Sequence, residues 1–364
     1  MLFNWKIHLN KPIAFRTYLT IALGAIALFI LYHILVWFFF TSKILSPAPY
    51  YVGDLGRMSY QMGSLHPRLK KVDLSQQHLD RDTWNNQHVD VITIGDSFSN
   101  AMASGKNPYY QDYLESDRNL SVLNIQNLDE TLTYLQSISL LYDSGWLERI
   151  HPKAIIIETV ANGAFRRVVS DTLPLKLPHP QTRLFHRPWS TVFPTPLFIN
   201  TANYKMPFYS LTYPFYNHIG GKVYRFDLNE SLFSVPNDKN LLIYHEDIDN
   251  INDFNDANID RINTSLNVLA RKLKTLNITL YYMPAVDKYD LYYDYIVDKK
   301  KYPKNPLFEK LRRTQKEYIL IDTKQLFSAE LANHTKDLYY ADDTHWSYKA
   351  SQALSKSSYF KELI

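Results

Sequence analysis

The longest uniform pattern in the chain is an uncharged run from Tyr18 to Phe40. These 23 residues at helical rise reach roughly 34 Å, more than the hydrocarbon core of a bilayer, about 30 Å. The pattern predicts a membrane-crossing helix over 17–41, with Tyr32, Trp37 and Phe38–Phe40 toward its far end, where aromatic rings favour the interface. A cleaved signal would carry a shorter apolar run, and Ser42-Lys43-Ile44-Leu45-Ser46 offers no small-x-small cleavage site, so the anchor is expected to be retained. Residues 1–16 hold Lys6, Lys11 and Arg16 without an acid, against Lys43 and Arg57 beyond the run. That asymmetry predicts a cytoplasmic N-terminus and an exported body.

After the anchor the pattern changes character twice. Ser46-Pro47-Ala48-Pro49, then Gly53, Gly56, Gly63 and Pro67, predict an irregular neck over 42–87 with one short helix. From His88 short apolar β-branched runs alternate with helical periodicity. Strands are expected at 89–94, 121–125, 152–159, 278–283 and 318–321, and helices opening at Phe98 and over 109–117, 129–142, 259–276, 310–317, 326–331 and from Ser347 onward. Strand alternating with helix predicts an α/β domain with a mostly parallel sheet over 88–364. One stretch, about 173–236, breaks the alternation. Pro174, Pro178, Pro180, Pro188, Pro194, Pro196, Pro207 and Pro214 are set among tyrosines and phenylalanines, which predicts an insertion or lid packed on the core, its rings suited to packing or to sugar faces.

Composition narrows the function classes. The chain has 364 residues, 46% hydrophobic and 15% aromatic, with a net charge of +4, so it folds, and its nearly balanced charges give no reason to expect nucleic acid. It has no cysteine, which removes disulfides, thiolate nucleophiles and cysteine-based zinc sites. His179, His186, His218 and His245 form no metal-ligand spacing, the Asp/Asn-rich 247–258 departs from an EF-hand, and Gly220-Gly221-Lys222 lacks the spacing of a phosphate loop. No metal and no cofactor is expected.

Two stretches carry candidate chemistry. The strand run Val89–Ile94 stops at Gly95-Asp96-Ser97, and a serine just past a strand's carboxyl end lies where sites form in open α/β sheets. Near the other end, Asp342-Asp343-Thr344-His345 offers an imidazole with carboxylates two and three residues before it. Together they predict Ser97 as nucleophile, His345 as base and Asp343 or Asp342 as the carboxylate that orients it. The backbone N–H at Ser97 and the side chain of Asn162 are candidates for an oxyanion hole, and Glu158 for bracing Arg166 or a helix. Asp287 and Lys288 follow the strand ending at Pro284, an edge where polar substrate groups collect.

These residues resemble the SGNH/GDSL hydrolase superfamily, in particular its membrane-associated branch similar to alginate O-acetyltransferases and D-alanyl-lipoteichoic-acid biosynthesis proteins. Gly95-Asp96-Ser97-Phe98 resembles the first SGNH block. Asp343-Thr344-His345-Trp346 resembles the Asp-x-His-Trp signature, while Asp342 to His345 also fits the broader Asp-x-x-His block. Residues 284–292, with Asp287 and Lys288, resemble a further signature of that branch. Asn124–Glu130 lacks the glycine of the second block, Val160-Ala161-Asn162-Gly163 is not Gly-x-Asn-Asp, and alginate-type proteins place Asp-x-His-Trp before the serine. The resemblance implies an SGNH-like three-layer α/β/α sandwich in the bacterial cytoplasmic membrane, single-pass, with the catalytic domain outside. It implies O-acetylation of an envelope or secreted polysaccharide alongside a membrane-bound O-acyltransferase, with Asp287, Lys288 and Trp346 as substrate-binding candidates. A carbohydrate O-acetyl esterase and a non-catalytic scaffold for an acyltransferase complex are the alternatives.

Overall fold

The structure is a computed structural model, and the residues described are 12–45, 52–60, 74–100, 107, 109–129, 131–169, 197–219 and 222–363. The expectations for residues 1–11, Ser46–Pro49, Gly63, Pro67, Met102, Pro174–Pro196, His179, His186 and Gly220-Gly221 lie outside them.

Five apolar runs form the expected strands: β2 (Val91–Ile94), β3 (Val122–Asn124), β4 (Ala154–Val160), β8 (Thr279–Ala285) and β9 (Ile319–Leu320). With β1 (Leu79–Asp80) they make a six-stranded sheet in the order β1-β3-β2-β4-β8-β9, every pair parallel. The fold class is therefore α/β, as the alternation of strand and helix dictates. The sheet starts at Leu79, inside the expected neck, rather than near His88. Strand β8 runs past the proline expected to end it. Pro284 lies beyond the short edge strand β9, which pairs only with Tyr281 and Tyr282, and the Thr323 hydroxyl bonds both the Pro284 carbonyl and the Val286 N–H. No ladder bond is lost at the proline.

Helices flank the sheet in two groups, Tyr110–Arg118 with Tyr348–Lys356, and Tyr134–Asp143 with Asp256–Lys274. The run expected from 129 turns helical only at Tyr134, where Thr133 and Gln136 form a reciprocal capping box. The helix expected at 310–317 occupies Leu307–Arg313, and residues 97–100 form turns rather than opening a helix.

A second sheet was not anticipated. Strands β5 (His218–Ile219), β6 (Val223–Asp227) and β7 (Asn240–Tyr244) form an antiparallel unit across the boundary expected at 236. Its Val223 and Leu242 bury Leu55 of the neck helix Asp54–Ser59. That part of the neck is a packed element of the domain, not a linker.

The helix Pro12–Val36 continues through a π-helical turn, Trp37–Thr41, into Ser42–Leu45. Over Phe15–Leu45 it is long and apolar enough to cross a membrane, with mean hydropathy 2.4 in its best window and its side chains largely exposed. It is the one such helix among the described residues.

Candidate active site

The chain leaves β2 toward β3 on one side and leaves β4 toward β8 on the other, so adjacent strands send their connections apart and open a crevice at their carboxyl ends. A cavity of about 420 Å³ lies there, lined by Ser97 and Phe98 after β2, Asn162 after β4, Asp287 after β8, Asp247 after β7, and His345. Ser97, Asn162, Asp287 and His345 thus share one cavity although 65 to 248 residues separate the serine from the others.

The turn bearing Ser97 is built by its neighbours. Asp96 accepts from Phe98 N–H at 3.1 Å and Val160 N–H at 2.6 Å, and pairs with Arg167, tying the end of β2 to the end of β4. Its carbonyl takes the N–H groups of Ser99 and Asn100 at 3.1 and 3.0 Å. The N–H of Ser97 takes no part in this network. Beneath lies Glu158, fully buried, whose Oε2 accepts from Asp96 N–H at 3.0 Å and the Ser99 hydroxyl at 2.8 Å. Burial pushes its carboxyl up to about 8, against the pull of the Ser99 bonds. Gly95 makes room for it, since a Cβ there would stand 2.4 Å from Glu158 Oε2 and 2.3 Å from Ser99 Oγ. Glu158 therefore braces the serine turn and not Arg166, which pairs with Glu246 at 3.3 Å.

The histidine sits on a tight loop. Tyr339 and Trp346 bridge across it, and the buried Lys288 ammonium donates to the carbonyls of Tyr340 and Ala341 at 2.9 and 3.0 Å. Asp343 Oδ1 meets His345 Nδ1 at 2.7 Å and accepts the His345 N–H at 3.0 Å. Asp342 points elsewhere, accepting Gly53 N–H at 2.7 Å, while its own carbonyl accepts Gly56 N–H at 2.9 Å. Gly56 permits this approach, because a Cβ would lie 3.3 Å from that of Asp342 and 2.6 Å from Val52. Of the two aspartates, Asp343 is the one in contact with the imidazole.

Three expected contact residues have other surroundings. Lys288 lies under the loop, its ammonium lowered to about 8 by burial although Asp342, Asp343, Asp54 and Asp247 oppose the shift. Trp346 is buried against Phe98 and Phe327, ring centroids 4.7 and 5.6 Å away, rather than open to substrate. Asp287 borders the cavity but also caps the helix Lys288–Tyr292, accepting Asp290 N–H at 2.7 Å; burial, then Asp247 and Asp290, raise its carboxyl well above the usual range. Asn162 spends one amide hydrogen on Asp247, at 2.6 Å. Its second faces no requirement from that bond.

Sequence patterns missed Asp54 and Asp247. Asp54, first residue of the neck helix, accepts Thr344 N–H at 2.8 Å and the Thr344 hydroxyl, and stands 3.9 Å from His345 Nδ1. Burial, with Asp343 adding to it, lifts its carboxyl to about 6, while burial lifts Asp247 to about 7. Asp54, Asp343 and His345 offer ligand atoms within 4.8 Å of one another, the one set among the described residues able to converge on a cation. Asp343 and Asp54 direct their oxygens at imidazole and threonine hydrogens, which suits proton handling better than ligation. Of the insertion's aromatic residues, Phe215 and Tyr216 border a different cavity, about 350 Å³, with Arg225, Asp227 and Tyr302.

No family model matches the chain. No curated protein and no solved structure matches it either.

Proposed function

We propose that this chain is an extracytoplasmic O-acyltransferase that acetylates an envelope or secreted polysaccharide through an acyl-Ser97 intermediate, on an SGNH-like three-layer α/β/α frame. The observation that carries the proposal is the sharing of one cavity by Ser97 and His345, with Asp343 2.7 Å from the histidine's Nδ1. That bond favours a proton on Nδ1 and leaves Nε2 basic. Ser97 Oγ bonds to the acyl carbon of the donor and gives its proton to Nε2. The oxyanion receives the Ser97 N–H and the second amide hydrogen of Asn162. Collapse expels the donor's oxygen, which takes the proton from Nε2. A sugar hydroxyl then passes its proton to Nε2 and attacks the acyl carbon; the O-acetyl sugar forms as the bond to Ser97 Oγ breaks and that oxygen takes the proton back from Nε2. Water in the sugar's place gives the esterase reaction.

Membrane proximity favours transfer from a membrane-bound O-acyltransferase. Asp54 follows the last helical residue of the anchor, Leu45, by 54 − 45 = 9 positions, so even a fully extended chain holds it within about 32 Å of that end.

The test uses the full chain in phospholipid vesicles with an activated acetyl ester, in water alone and with added glycan. Transfer to glycan that outcompetes hydrolysis, and falls at least ~1000-fold in Ser97→Ala, is the expected result. Hydrolysis without transfer would assign an esterase. Glycan binding without acetyl chemistry would overturn the enzymatic reading in favour of a scaffold.

A further inference from the structure

The insertion helix Ala202–Thr212 is hydrogen-bonded to the long apolar N-terminal helix. His33 lies 17 residues beyond Arg16 and 10 before Lys43, the nearest flanking charges. If the hydrocarbon core is centred between those charges, His33 sits about 10 Å inside its far edge. At that level polar groups of the two helices bond to one another, although the Asn203 amide oxygen is buried without a partner among the described residues. Pro207 has no N–H for the Asn203 carbonyl one turn before it, and the Tyr32 hydroxyl donates to that carbonyl at 2.7 Å. The Asn203 amide donates to the Phe198 carbonyl and to His33 Nδ1, both at 2.7 Å. The phenylalanine carbonyl only accepts, which fixes the amide's orientation; the imidazole must then carry its hydrogen on Nε2, directed at the Tyr204 hydroxyl 2.8 Å away. Such pairing is what backbone and polar groups require inside a bilayer.

From Tyr204, whose ring stacks on Tyr32 and whose hydroxyl meets His33, the remaining surface of the same helix is apolar and open. Tyr204, Phe208 and Leu211 follow at i, i+4 and i+7, a single stripe, 50, 58 and 71% exposed. Leu197, Phe198 and Ile199 extend it before the helix, Leu197 at 77%. This surface continues that of the anchor, whose Leu28, Leu31 and Leu35 are exposed in the same way. Between Trp189 and His218 the sequence has one charged residue, Lys205, which is exposed and long enough to reach headgroups.

We propose that residues 197–212 form a second membrane element, lying beside the far end of the anchor with the Tyr204–Phe208–Leu211 stripe against phospholipid acyl chains. The proposal rests on the anchor crossing the membrane. Its occupant is the bilayer because the stripe adjoins the anchor at the Tyr32–Tyr204 and His33–Tyr204 contacts and its segment carries a single charge. Attachment along two helices fixes the domain's tilt, which a single tether leaves free, and so holds the Ser97 cavity at one height above the lipid.

The chain contains no cysteine, so single-cysteine variants of the full chain can be nitroxide-labelled in phosphatidylcholine–phosphatidylglycerol vesicles. Labels at Phe208→Cys and Leu211→Cys are compared with Leu23→Cys in the anchor and Asp253→Cys on the exposed domain surface. The expected result is oxygen access above, and access to a water-soluble nickel chelate below, the Asp253 levels at both positions, with Phe208 close to Leu23, and Leu211, nearer the far edge, between Leu23 and Asp253. Nickel access at the Asp253 level would overturn the proposal and leave the stripe to a soluble partner. Labels shielded from both reagents would overturn it in favour of a second copy of the chain. A water-exposed label at Leu23 would overturn the anchor and this proposal with it.

Discussion

Asp342 and Asp343 are adjacent and equally buried, yet one holds the neck and the other the imidazole. Their consequences should separate accordingly. Asp343→Asn replaces one oxygen with an amide and upsets the tautomer of His345, so Ser97-dependent turnover is expected to fall about 10³–10⁴-fold. Asp342→Asn keeps an oxygen for Gly53 N–H, and turnover should stay within ~10-fold, the scale of one weakened hydrogen bond. Equal losses in a steady-state assay of both variants would contradict the assignment. Sequence alone placed Ser97 and His345, because a strand broken by glycine and a loop with clustered acids are local signals. Only the resemblance favoured Asp343 over Asp342; the residue pattern left both open, since which one turns toward the imidazole depends on Gly53 and Gly56, nearly three hundred residues upstream.

At the scale of elements, one short helix was expected in the neck, but no pattern tied the six-residue helix Asp54–Ser59 to the site. It is too short to show periodicity, and its partners Val223, Leu242 and Asp342 come from three distant segments. The antiparallel sheet β5–β7 owes its importance to this contact, because it supports the helix that sets Asp54 beside His345 and Thr344. A chain beginning at Ser46 is expected to keep turnover of a soluble acetyl ester, and one beginning at Leu74 to lose at least ~10-fold through the missing carboxylate and loosened loop. Circular dichroism checks that both fold. Equal rates in the two would remove Asp54 from the mechanism. The five parallel strands, by contrast, were legible as short apolar runs, and the inner four are buried on both faces as a parallel sheet demands, while edge strand β9 is half-buried.

For the molecule as a whole, the buried carboxyls fix a direction of pH dependence. Glu158, raised from 4.5 to about 8, Asp247 to about 7 and Asp54 to about 6 bind protons in the folded chain at pH values where the unfolded chain has released them. Their contribution to stability is full below the unfolded values, falls as pH rises through the folded ones, and is spent by about pH 8. Lys288, lowered from 10.5 to about 8, acts oppositely, and its contribution grows between about pH 8 and 10.5. Glu158→Gln keeps an acceptor for Asp96 and Ser99 but cannot ionise. Thermal melts should show the wild type losing stability relative to this variant between about pH 5 and 8, with a constant difference above; a parallel pair of curves would refute the burial argument.

Hydrophobic pattern by itself determined the long apolar N-terminal helix, the parallel strands and the α/β class, and local motifs marked Ser97 and His345 as candidates, because each is written in neighbouring residues as a run, a period or a break. Tertiary structure alone decided which carboxylate meets His345, that the neck supplies Asp54, that Lys288 and Trp346 support the loop from below, and that the helix Ala202–Thr212 lies along the N-terminal helix. Those outcomes turn on side chains far apart in sequence, whose hydrogen bonds and packing exist only once the sheet has brought the strand ends together.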